Sequence, residues 1–300
     1  MEKVPESGVA VEVQDGIRRV LAPNASPMTY HGTNSYLIGE QEVAIVDPGP
    51  ADSAHIDALI TAAGGADRIT HVIVTHAHVD HSQGVTMLAE KTGAPVYAFG
   101  PADRGQSDLM KRLVQEGMHS GGEGVDHGFT PDIQLEDGDQ ISGAEWNLDV
   151  IWTPGHIGNH VCLAMGDVVL SGDHVMQWAT SIVSPPDGDV GAFLISCEKL
   201  LSRDDRLYLP GHGENVDDPK GRTQWLIDHR KEREAQIVGV LDTGTWTPME
   251  IVAKIYTEIP PALYGAAERN VFAHLIDLCE RGLAASEGQV RVASRYKLAK

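Results

Sequence analysis

Cysteine, aromatic residues and basic residues are all scarce in these 300 residues, and no long apolar run occurs. The three cysteines, Cys162, Cys197 and Cys279, form no short-spaced pair. A chain of this length buries a sizeable core without disulfides, so the cysteines read as buried, reduced thiols in a reducing compartment. No segment approaches the roughly 20 apolar residues of a membrane helix, which excludes a membrane partner. The stretch from Met1 to Ala10 carries Glu2, Pro5 and Glu6 and no apolar run, which predicts no secretory leader and a cytoplasmic location.

Basic residues number 23 against 43 acidic, a formal net charge of −20. Residues 221–300 hold 11 basic against 10 acidic side chains, which leaves 12 against 33 in residues 1–220. Such a field repels phosphate backbones at long range and argues against double-stranded DNA. Binding of single-stranded RNA wants a basic path interleaved with aromatics, and aromatics are only 5% of the chain. Arg291, Arg295 and Lys297 could form a small patch but read as a solvated surface.

What is present is ordinary globular composition, with 42% hydrophobic and 22% charged residues. The length suggests a large domain with a small appended one. Short runs rich in branched residues read as strands: Val43 to Val46, Val72 to Val74, Leu148 to Ile151, Val168 to Leu170 and Leu207 to Leu209. Helical spacing recurs in Ile56, Leu59 and Ile60 before Gly64, and in Phe193, Leu194, Cys197, Leu200 and Leu201. Interleaved strands and helices predict an α/β or layered αββα sandwich over residues 1–220. Gly117 to Gly124 reads as a loop.

From about residue 221 the texture turns helical. Thr247-Pro248-Met249-Glu250 is a helix start with a capping residue, an early proline and a glutamate at the third position. Ile251, Val252, Ile255 and Tyr256 give that helix an apolar stripe, and a second helix runs from about Ala262 to Glu280. Leu283 to Leu298 reads as two short strands around Glu287-Gly288. Residues 221–300 therefore suggest a winged-helix module, whose apolar stripes must be buried within it or against residues 1–220.

The chemistry concentrates in Thr75-His76-Ala77-His78-Val79-Asp80-His81, four candidate metal ligands within six residues after a strand. His156, Asp173 and His212 follow, each just past a strand and beside a glycine. Imidazole and carboxylate donors suit zinc and its transition-metal neighbours. Glycines 155, 172, 211 and 213 allow the tight turns such positions need. The single histidines His31, His55, His71, His119, His127, His174, His229 and His274 read as surface or packing residues. Tyr208 and Tyr264 carry no signal beyond their type.

This set of motifs resembles the metallo-β-lactamase superfamily. The resemblance implies that His76, His78 and His156 bind one Zn2+ ion and that Asp80, His81 and His212 bind a second, with Asp173 bridging them. It also implies that Asp47, in Val46-Asp47-Pro48-Gly49, supports the ligands from behind. Thr33 to Ile38, Gly155 to His160, His229-Arg230-x-x-Arg233-Glu234-x-Gln236-Ile237, and the tail residues Met249 to Val252, Ile255-Tyr256, Asn270 and His274-Leu275 look like the lactamase-β-2 type of subfamily.

Two zinc ions per chain would share a hydroxide that attacks a carbonyl or a phosphorus, with Asp80 orienting it and moving its proton. His160 could donate to substrate or leaving group, or serve packing and support. Ester, thioester, lactam and phosphodiester bonds all suit this chemistry, so the substrate is a small molecule or, as the subfamily implies, single-stranded RNA cut by an endoribonuclease. β-Lactamase activity is expected to be slow, because the resemblance implies that dedicated β-lactamases lack a bridging carboxylate at the place of Asp173. Two rivals differ in class: a mononuclear iron oxygenase using His76, His156 and Asp173, and a binding module whose winged helix contacts nucleic acid. The wing could also support a homodimer.

Overall fold

The computed structural model describes residues 5–119 and 124–299, so part of the loop expected at Gly117 to Gly124 lies outside the described residues. The first sheet contains β1 (Ala10–Gln14), β2 (Ile17–Leu21), β3 (Asn34–Ile38), β4 (Val43–Val46), β5 (Ile69–Ile73), β6 (Val96–Ala98) and β7 (Ile133–Gln134), ordered as in the chain. Neighbours are antiparallel as far as β4 and parallel from there to β7. Parallel neighbours need crossovers. Helix α1 (Ser53–Ala63) supplies the one from β4 to β5, and α2 (Val79–Ser82) with α3 (Val85–Thr92) the one from β5 to β6. Helix α1 starts at Asp52, whose side chain accepts from the His55 amide, and stops at Gly64 in the left-handed region. Helix α4 (Asp108–Gln115) follows β6.

The second sheet has the order β12-β11-β10-β9-β8, built from β8 (Gln140–Ser142), β9 (Asn147–Trp152), β10 (Val161–Met165), β11 (Val168–Gly172) and β12 (Leu207–Pro210). Strands β11 and β12 pair in parallel across helix α5 (Val190–Leu201). The layering follows from what each face buries. Ile38, Val46 and Ile73 of the first sheet meet Leu148, Val150, Leu163, Leu170 and Leu209 of the second in one cluster. The outer face of the first sheet, with Leu37, Ile45 and Val72, packs on Ile56, Leu59 and Leu88 of α1 and α3. The outer face of the second, with Cys162, Ala164 and Val169, packs on Phe193, Cys197 and Leu200 of α5. Helix, sheet, sheet, helix is the expected αββα sandwich. Each fully buried aliphatic or aromatic side chain in it contributes about 1.5–3 kcal/mol. The cysteines are free thiols, with Cys162 and Cys197 buried.

Helix α6 (Pro219–Leu241) leaves the sandwich: Leu226 and Ile227 belong to the α5 cluster, whereas Ile237 and Leu241 belong to the next one. That cluster joins Ile251 and Val252 of α7 (Pro248–Ile255), Phe272, Leu275 and Ile276 of α8 (Tyr264–Glu280), and Tyr296 of β14 (Tyr296–Leu298), which pairs with β13 (Ala284–Ser286). The Thr247 hydroxyl accepts from the Glu250 amide and the Glu250 carboxylate accepts from the Thr247 amide, the capping box read from the sequence. Three helices and a two-stranded wing form the winged helix. It leans on the sandwich through Met110 and Leu113 of α4, and Arg291 pairs with Glu116 at 2.8 Å. Among the described residues, no helix is long and apolar enough to cross a membrane.

Candidate metal centre

Four strand ends meet at one rim of the sandwich. The segment after β5 carries His76 and His78 and runs into α2, which carries Asp80 and His81. His156 follows β9, Asp173 follows β11 directly, and His212 follows β12. All seven side chains are buried. Donor atoms of His76, His78 and His156 converge within 4.8 Å of one another, as do those of His76, His81 and Asp173, and those of Asp80, His81 and His212. The structure thus brings together all seven residues singled out in the sequence.

The spacing decides between a hydrogen-bonded polar core and a metal centre. His212 Nε2 lies 3.2 Å from His81 Nε2, 3.1 Å from Asp80 Oδ2 and 3.3 Å from Asp173 Oδ2. His81 Nε2 lies 3.5 Å from Asp80 Oδ2 and 3.6 Å from Asp173 Oδ1. On the other side, His156 Nε2 is 2.9 Å from His78 Nδ1 and 3.8 Å from Asp173 Oδ2. Ligands about 2.0–2.1 Å from one tetrahedral ion sit roughly 3.4 Å apart, close to most of these values. Asp173 lies between the two groups and offers an oxygen to each. Among the described residues, His76 Nε2, Asp80 Oδ1 and Asp173 Oδ1 are buried with no hydrogen-bond partner, a costly arrangement unless cations complete it. The donor set fits divalent metal.

Four of the five imidazoles are held from their far side. Nδ1 of His81 donates to Asp47 at 2.9 Å, Nδ1 of His156 to the Ile182 carbonyl at 2.6 Å, and Nδ1 of His212 to the Gly32 carbonyl at 3.2 Å. His76 Nδ1 lies 3.0 Å from the Thr75 hydroxyl. These bonds fix the tautomers that leave Nε2 facing inward. Asp47, the expected support, is buried at a backbone φ of 53°, a region that side-chain-bearing residues rarely enter.

Protonation follows burial and charge. Burial holds His76 well below the ordinary histidine value and takes His78 down to about 3, aided by His156. Burial also works against the charged form of His212, but Asp173 and Asp80 outweigh it and raise the group to about 10. His81 is raised against the same burial by Asp80, Asp173 and Asp47. Burial opposes ionisation of Asp80 and Asp173 too, yet His81 and His212 hold both carboxylates low. Two anionic carboxylates thus concentrate positive charge on two histidines, the place a metal cation would take.

His160 departs from the donor role considered for it. It is fully buried; Nδ1 contacts the Thr153 hydroxyl at 2.9 Å, and Nε2 accepts the Asp173 amide at 3.1 Å. With both nitrogens engaged, it props up Asp173 and presents nothing to the cleft. Tyr208 is likewise buried in the α5 cluster. Sequence reading missed the walls. A cavity of about 170 Å³ opens over His78, His156 and Asp173, lined by Met28, Met176, Trp178 and Ile182 among others. Isolated apolar residues in irregular segments carry no periodic signal, so nothing in the sequence marked them. The loop behind them is tied to the ligands: the Ser181 hydroxyl donates to the Asp173 carbonyl at 2.6 Å, and Arg230 donates to the Ser181 carbonyl.

Known proteins resemble this chain in sequence and in fold. Residues 28–212 match the model of the metallo-beta-lactamase superfamily, and residues 247–293 match that of the beta-lactamase associated winged helix domain. The beta-lactamase-like protein 2 homolog of Drosophila melanogaster is 31% identical, over 92% of this chain and 89% of that protein. An atrochrysone carboxyl ACP thioesterase of Aspergillus fumigatus is 26% identical, over 81% of this chain and 74% of its own. The crystal structure of a beta-lactamase domain protein from Burkholderia ambifaria superposes with a TM-score of 0.79 at 21% identity, covering 99% of this chain and 96% of that one. The strand-end histidines and aspartates, the two stacked sheets and the winged tail together place this chain in the metallo-beta-lactamase superfamily.

Proposed function

We propose that the chain is a dinuclear, zinc-dependent hydrolase of activated carbonyl compounds, thioesters and esters foremost. The observation that carries this reading is the meeting of seven buried nitrogen and oxygen donors with a small, largely apolar cavity. His76, His78 and His156 would hold one ion, Asp80, His81 and His212 the other, and Asp173 would touch both. Imidazole and carboxylate donors with no thiolate suit zinc. Bound there, two divalent ions supply an acidified water and stabilisation of the charge that develops on the carbonyl oxygen.

The chain's own groups supply the rest. Asp80 Oδ1, buried and without a protein partner, is placed to orient the attacking water and take its proton. Met28, Met176, Trp178 and Ile182 exclude bulk water and hold an apolar acyl group, which favours an acyl substrate over a polyanionic strand. The thioesterase relative supports the same class. Lactam hydrolysis would be slow.

The test is a panel of thioesters, lactones, cephalosporins and single-stranded RNA on protein whose metal content has been measured. Two zinc ions per chain with chelator-sensitive thioester turnover is the expected result. Protein without stoichiometric metal would overturn the reading, as would iron with oxygen uptake, or turnover of RNA alone.

A further inference from the structure

Beside the metal cavity lies a second depression of about 520 Å³, walled by the sandwich on one side and the winged helix on the other. Met28, Thr180, Ile182 and Ser184 line both, so the two adjoin. Its charge is the reverse of the chain's. Arg230, Arg233 and Arg269 line it beside His229, which burial shifts toward its neutral form, and among the described residues no aspartate or glutamate does, in a protein of net charge −20.

Arg230 is 3% exposed and keeps its Nε without a protein partner. Burial pulls its guanidinium down to about 10, and among the described residues no carboxylate stands near enough to oppose that. Its neighbours are the Ser181 carbonyl and the face of Phe193. Arg233 is half-buried over the Tyr256 ring at 4.1 Å and donates to Gln236, again with no ion pair among the described residues. Arg269 donates to the carbonyls of His119 and Pro185. A buried guanidinium without a counter-charge is expensive unless an anion completes it, and forked guanidinium groups match phosphate.

We infer that this groove binds the phosphate of a thioester's carrier arm, with Arg230, Arg233 and Arg269 as its recognition residues and the scissile thioester extending into the metal cavity. The inference rests on the hydrolase reading above and adds the substrate's anionic handle. Arg230 is tied through Ser181 to the backbone of Asp173, and Ile182 next to it holds His156, so a ligand seated here lies against the loop that positions two metal-centre residues.

The experiment compares 4′-phosphopantetheine with pantetheine, which differ by the phosphate alone, by calorimetric titration of wild type and of Arg233→Ala/Arg269→Ala. Both positions are partly exposed, so the substitutions spare the core. Wild type should bind the phosphorylated compound at least tenfold more tightly, and the double variant should lose that preference. The matching kinetic pair is an acyl group on phosphopantetheine and on N-acetylcysteamine. The variant should raise KM for the first at least tenfold and leave turnover of the second unchanged. Equal binding of the two compounds by wild type would overturn the inference while leaving the hydrolase reading standing. Absence of turnover of either thioester would overturn the hydrolase reading instead. Inorganic phosphate competing as well as phosphopantetheine would reduce the site to a free-anion site and overturn the carrier arm. Tenfold tighter binding of a single-stranded oligoribonucleotide than of phosphopantetheine would overturn the arm in favour of RNA.

Discussion

The carboxylate of Asp47 accepts from His81 Nδ1 at 2.9 Å and, through its other oxygen, from the Thr75 amide at 2.8 Å. It does so from a left-handed backbone that costs an aspartate about 1 kcal/mol or more. One side chain thereby couples the end of β4 to the start of the ligand segment after β5. Asp47→Asn keeps an acceptor for Thr75 but loses the charge that holds the His81 tautomer. We expect roughly 10- to 100-fold weaker metal binding with an unchanged circular dichroism spectrum. Competition with a chromophoric chelator measures this, and unaltered affinity would remove Asp47 from the assembly.

Asp80 is assigned two duties, ligand and proton acceptor. Asp80→Ala should reduce kcat on the best thioester by at least about 100-fold. The fold should survive, because the residue sits on a rim and not in an apolar cluster. Steady-state kinetics alongside a thermal melt separates the outcomes, and a wild-type rate would disprove the role.

Much of this was legible in the sequence for a physical reason. Strands buried on both faces read as short apolar runs, and Val43 to Val46 is β4 without adjustment. Ligands that must converge from several strand ends need polar residues just past those runs, which is where His156, Asp173 and His212 stand. The winged helix announced itself through the Thr247 capping box. What stayed hidden depends on distant chain segments meeting. Nothing local in His160 says that the Asp173 amide will occupy its ring, and nothing near Arg230 says that no carboxylate will come to it.

Glycine at position 211 also has a different reason from the one expected. Its φ is not positive; the constraint is space. A methyl group there would lie 2.4 Å from Asp173 Oδ1 and 2.7 Å from His81 Cε1. Both atoms belong to side chains of the metal centre, and both side chains are too closely held to yield. Gly211→Ala should therefore displace Asp173 and lower metal stoichiometry below two per chain, with kcat falling in parallel. Gly239, exposed in α6 with nothing near its absent side chain, serves as the control and should tolerate Ala. Full metal content in Gly211→Ala, measured by atomic emission, would refute the steric account.

Stability of the metal-free protein should depend on acid through histidines outside the metal centre. Burial drives His174 and His274 down to about 3, His156 reinforcing it at the first and Arg230 at the second; burial takes His55 to about 4. In the unfolded chain each titrates near 6.5. Between about pH 6.5 and 3 the unfolded state therefore binds protons that the folded state refuses, so stability falls as pH falls, by up to roughly 1.4 kcal/mol per unit for each group. His81 and His212 act in another window: raised by their carboxylates, they contribute stability below about 6.5 that is lost as pH climbs, through about 10 for His212. His274 offers the cleanest test, since neither ring nitrogen has a protein partner in its buried site. His274→Leu should flatten the decline in urea midpoint between pH 7 and 4 by about one proton's worth, and should be more stable than wild type at pH 4. Parallel pH profiles for the two proteins would show that His274 is already protonated when folded.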